Sequence, residues 1–129
     1  MLDLADIDLD AEASRGAEMT IRHPKTAEAT DAKVRVIGQD SAQYRANLRR
    51  IRDMVAAAPE KEPADEDNQM LLARARNAAA AITGWTNVGF GGAAIEFSFE
   101  AAVDLGTRRP WFADQVLAFT AARGNFGRG

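Results

Sequence analysis

The sequence predicts an α+β fold, mainly α, in which a small N-terminal β-hairpin is followed by three or four helices. Two short runs, EMTIR at 18–22 and KVRVI at 33–37, alternate apolar and polar residues with the period of a strand and set Met19 and Ile21 against Val34 and Val36. Tyr44, Leu48, Ile51 and Val55 then fall at i, i+4, i+7 and i+11, one apolar stripe on a helix. Three later stretches each begin at a capping residue or proline and stop at a glycine, the punctuation of further helices.

A chain of 129 residues fits one domain with a modest core. Apolar residues make up 47%, yet much of that is alanine, so the core rests on two Trp, six Phe, one Tyr and scattered Leu, Ile and Val. With no cysteine and His23 as the single histidine, neither a disulfide nor a zinc site of the usual kind can be assembled, and no cofactor is expected. A net charge of −3 disfavours a dedicated nucleic-acid binder. The first ten residues lack the basic-then-apolar layout of a secretory signal, and no apolar run approaches the ~20 residues that span a bilayer. The expectation is a cytoplasmic chain with no membrane partner.

Residues 1–15 combine four Asp and one Glu with irregularly spaced Leu2, Leu4, Ile7 and Leu9, and read as a mobile acidic arm. A single domain over 16–126 follows. The hairpin covers 17–37, its open connection containing Pro24. Asp40 or Ser41 caps a helix over about 40–57. Residues 59–67 are acidic with two prolines, a flexible linker by composition. The next helix, about 66–83, is capped by Asp65 and presents a wall of Met70, Leu71, Leu72, Ala75, Ala78, Ala79 and Ile82, with Gly84-Trp85 as a packed helix stop. The glycine-rich run 86–97 reads as a loop with a short strand at 94–97, and it lacks the Lys-Ser/Thr of a phosphate-binding loop. Ser98 caps a helix over about 98–105, and Pro110 starts the last one, 110–123.

No catalytic constellation emerges, and the chain is not expected to be an enzyme. The carboxylates concentrate in segments too exposed by composition to raise a carboxyl pKa, and no Ser or Cys nucleophile with an orienting third group can be tied to His23. The arginines at 45, 49, 50 and 52 read as the polar face of an amphipathic helix. Aromatic side chains are the remaining candidates. In a small domain most must be core, but two alanine-rich helices leave room for a docking surface drawn from Trp85, Phe90, Phe97, Trp111, Phe112, Phe119 and Phe126.

The order of features resembles the tail assembly chaperones of long-tailed bacteriophages over about residues 16–126: GAEMTIRHPKTAEAT, VRVIGQDSAQYRANLRR, the Ile-Thr-Gly-Trp step at 82–85 and IEFSFEAAVDLGTRRPWFADQVLAFTAARGNF. Gly38-Gln-Asp-Ser41, Gly84-Trp85, Phe97-Ser-Phe-Glu-Ala101, Pro110-Trp111 and Asn125-Phe126 match the family's successive steps, whereas Ala27 stands where a glycine is common in a Pro-x-Thr-Gly turn. The resemblance implies a non-enzymatic role in tail morphogenesis in the host cytoplasm. Such a chaperone coats the tape measure protein, recruits tail tube protein and is absent from the mature virion. It also implies a short form beside a frameshifted longer form of the same chain, and leaves room for a homo-oligomer. The alternative is a structural tail or connector component retained in the virion.

Overall fold

The computed structural model describes residues 1–127. In chain order these form α1 (Leu9–Arg15), β1 (Ala17–Arg22), β2 (Ala29–Val36), α2 (Ala42–Ala57), α3 (Glu66–Ala81), β3 (Ile82–Thr86), β4 (Gly89–Phe90), β5 (Ala93–Ala94), α4 (Phe99–Arg108) and α5 (Pro110–Ala121). Helix at 55% against strand at 18% makes the fold mixed α+β and mainly α. The strands lie in the middle of the architecture and are not a simple N-terminal hairpin, because α1 precedes β1 and β3 joins the sheet after α3.

The sheet is antiparallel in the order β1-β2-β3. Its register aligns Met19 with Val34 and Val34 with Trp85, and Val36 with Ile82 on the far side, so the inner face is apolar and central Val34 and Val36 are fully buried. Glu18, Thr20, Lys33, Arg35 and Thr86 line the outer face, where Lys33 Nζ donates to Thr20 Oγ1 at 2.6 Å. The β1 edge is covered by a side chain: the Gln115 amide of α5 accepts from Arg22 N at 2.9 Å and donates to Arg22 O at 2.8 Å. At the hairpin tip, His23 Nδ1 accepts the backbone N–H groups of Lys25 and Thr26, and Ala27 sits at φ 63°, a left-handed conformation that favours glycine.

Gly84-Trp85 does not stop α3. The helix ends at Ala81 and runs directly into β3, while its last carbonyls are satisfied from elsewhere: Ile37 N donates to Ala81 O at 2.8 Å and Asn47 Nδ2 to Ala80 O at 2.9 Å. Ile82 and Trp85, three residues apart, both reach the inner face because the β2-β3 register shifts at Thr83, a bulge. The loop strand expected at 94–97 is instead the β4-β5 hairpin, closed by Gly91 and Gly92 at φ 63° and 86°, the left-handed pair that a tight two-residue turn requires.

Parts of two segments expected to be loose are tied down. In residues 1–15, α1 buries Ala13, Asp10 accepts from Ala42 N at 2.7 Å at the start of α2, and the Ser14 and Ser41 hydroxyls are 2.9 Å apart. The Ala42 amide holds the Asp10 carboxyl below its ordinary pKa. In residues 59–67, Pro59–Lys61 forms a 3-10 turn and Glu62 receives both guanidinium arms of Arg76, one at 2.9 Å, with 21% and 15% side-chain exposure. An acidic, proline-bearing composition describes an exposed segment but carries no information about one arginine on the neighbouring helix. The caps were legible: Ser41, Asp65 and Ser98 each accept a backbone N–H in the first turn, and Pro110 opens α5.

The helices close over the sheet through small residues. α3 buries Ala75 and Ala78–Ala81, and a Cβ added to Gly106 of α4 would lie 2.9 Å from the Ala75 Cβ and 3.4 Å from that of Ala113 in α5. Gly106→Ala gains helix propensity yet forces α4 away from α3, so we expect a net loss of about 1–2 kcal/mol in urea unfolding. The Arg76 guanidinium lowers the Glu62 pKa from 4.5, so this pair stabilises the fold above the unfolded value, and its contribution is lost as pH falls through the folded one. The stability gap between wild type and Glu62→Gln, followed by thermal melts across pH, is therefore constant near neutrality and narrows below about 4.5.

Candidate docking groove

α2 buries no residue completely. Tyr44, Leu48, Ile51 and Val55 face α3 half-buried, as their spacing predicts, while Met54 beside them remains 46% exposed. The next wall in space is the segment leading into α4, which contributes Phe97 and Phe99. Between the two walls runs an open apolar groove of about 520 Å³, lined on one side by Asn47, Arg50, Ile51 and Met54 and floored by Ala79, Ala80 and Ile82. Beyond Met54 and Phe99 it continues into a hollow of about 380 Å³ bordered by Leu72, Val103, Glu100 and Asp104. The alanine face of α3 explains its depth, because methyl groups leave the space that larger side chains would fill.

The predicted aromatic set divides among several places. Trp85 is half-buried on β3, with Nε1 donating to Ile95 O at 2.8 Å, and its ring meets Phe97 and Phe112 edge to face at centroid distances of 5.1 and 6.3 Å. Only Phe97 of the set lines the groove. Phe90, Trp111 and Phe112 border a separate cleft of about 250 Å³ between the β4-β5 hairpin and α5, with the Arg109 guanidinium 5.0 Å from the Phe90 ring centre. Phe112 is nevertheless core, 6% exposed, whereas Trp111 is 36% exposed. Phe119 and Phe126 pair edge to face at 5.8 Å at the other end of the molecule, and Phe126, 7% exposed, presses on Gly38. Phe112 and Phe126 are thus interior residues in this conformation and present no docking face.

Sequence reasoning missed Met54 and Val103 as groove residues. The signal was present on α2, where Met54 widens the stripe beyond what packing on one helix requires. The arginines of α2 stand at or toward solvent. Arg45 donates to Asp40 O, Arg52 lies 3.5 Å from Asp53 with both exposed, and Arg49 and Arg50 have no ion-pair partner among the described residues. Asp40 pairs instead with Arg123, which lowers its pKa. Among the described residues no three His, Cys, Asp or Glu are grouped to hold a metal ion, and no helix is long and apolar enough to cross a membrane. No protein-family model, curated protein or solved structure matches this chain.

The division between interior and surface aromatics has a measurable form. Phe112→Ala removes a packed ring and should cost about 3–4 kcal/mol in equilibrium unfolding, while Trp111→Ala, one residue away on the open side, should cost less than about 1 kcal/mol.

Proposed function

We propose that this chain is a tail assembly chaperone of a long-tailed bacteriophage that binds the tape measure protein through the groove between α2 and α4. The observation that carries the reading is the groove itself: an open apolar trough with an alanine floor and flanking helices fits an amphipathic helix laid lengthwise, with anchors at helical spacing against Ile51, Met54, Phe97 and Phe99. The hairpin tip gives independent support. Ala27 occupies the glycine position of the family's Pro-x-Thr-Gly turn, and its φ of 63° is the conformation for which a glycine is suited.

One shallow groove binds a single helical segment weakly. Many copies along one long partner gain avidity without any tight contact, and this combines coating with release. Recruitment of tail tube protein and pairing with a longer form of the chain belong to the same proposal, with the second cleft and the exposed Trp111 as surfaces left free by a helix in the groove.

Co-expression with the tape measure protein of the same phage, followed by size-exclusion chromatography with mass determination, tests the reading. The expected result is a soluble complex with several copies per tape measure, lost with Met54→Glu and retained with Trp111→Ala. An insoluble tape measure and a chain eluting alone would overturn it, and many copies found in finished particles would favour a component retained in the virion.

A further inference from the structure

Large apolar side chains without cover are concentrated at one place in the described residues. Leu2, Leu4 and Ile7 are 71%, 75% and 50% exposed within a single short stretch, and the neighbouring Asp3, Asp6 and Asp8 make it acidic. Asp3 caps a 3-10 turn at Leu4–Asp6 by accepting from Ala5 N at 3.0 Å, and the turn closes where Ile7 N donates to Leu4 O at 3.3 Å, which brings these two exposed apolar residues to its two ends. This is a small acidic segment whose apolar side chains have no cover among the described residues. The same molecule carries an open apolar groove whose α2 lip holds Arg50, with Arg49 beside it, neither paired with a carboxylate among the described residues.

We propose that residues 1–8 of a second copy of this chain dock in the groove between α2 and α4, with Leu4 and Ile7 against Met54 and Phe99 and the aspartates toward Arg50. Charge fixes the orientation. The opposite lip carries Glu100 and Asp104, so an acidic segment seats with its carboxylates toward α2 and its apolar side inward. Within one molecule the segment leaves the fold where Asp10 and Ser14 fix α1 to the start of α2, and there its side chains meet no cover. The inference concerns the same groove as the proposed helix site but stands without that assignment, because its test requires this chain alone.

Three full-length proteins suffice: wild type, an arm variant with Leu4→Asp and Ile7→Asp, and a groove variant with Met54→Glu. All three positions are exposed, so the folds should survive, which circular dichroism and melting temperature check; Arg50→Glu replaces the groove variant if it does not fold. Sedimentation velocity across the micromolar range should show wild type self-associating, and each variant alone weakened by about tenfold or more. An equimolar mixture of the two variants should associate again, since the intact arm of one meets the intact groove of the other, and raised salt should weaken the contact. Wild type that stays monomeric throughout overturns the proposal, as does association that survives in both variants. A mixture that remains monomeric while wild type associates assigns self-association to a different surface and overturns it equally.

Discussion

Ala75 of α3, Gly106 of α4 and Ala113 of α5 meet where no side chain larger than a methyl fits, and the arrangement of the helical layer follows from that contact. Because α3 presents alanine from Ala78 to Ala81, its axis lies close to its neighbours and close to the sheet, and Val34, Val36, Ile82, Leu105, Phe112 and Val116 fill one continuous core. A leucine in place of any of these alanines would fill the groove or push α4 and α5 off the sheet. The small residues give up buried area per residue and gain proximity between backbones, and both the core and the open trough beside it follow.

Local chemistry was legible in the sequence, and long-range chemistry was not. Ser41, Asp65, Ser98 and Pro110 mark helix starts because a cap acts over three residues, and Met19, Ile21, Val34 and Val36 announce a hairpin because alternation is a local property. Gly84-Trp85 misled for a definable reason. Ile82 and Trp85 have a helical spacing, and only a bulge imposed by pairing with β2 turns both to one side of a strand. Asp10 capping a helix thirty-two positions along the chain, and Glu62 meeting Arg76, depend on the tertiary fold before they can exist.

The aromatic residues illustrate the same boundary. Their clustering between positions 82 and 119 correctly locates much of the core, with Trp85 contacting Phe97 and Phe112. Which of them face outward is decided by the helix phase of α5, where successive residues Trp111 and Phe112 point to opposite surroundings, and by the glycine turn that lays Phe90 under Arg109. The groove draws more on Ile51, Met54 and Phe99, residues that are unremarkable in composition and acquire meaning from the shallow seat of α2.

That seat gives the molecule an uneven distribution of local stability. α2 is held by half-buried side chains, by Asn47 reaching the Ala80 carbonyl and by the Asp10 and Ser41 contacts at its first turn, with no residue sunk in the core. An element with few buried contacts is the kind that opens locally at a lower free energy than the core beside it. One wall of the groove is therefore lightly packed, and it stands against the buried alanine face of α3.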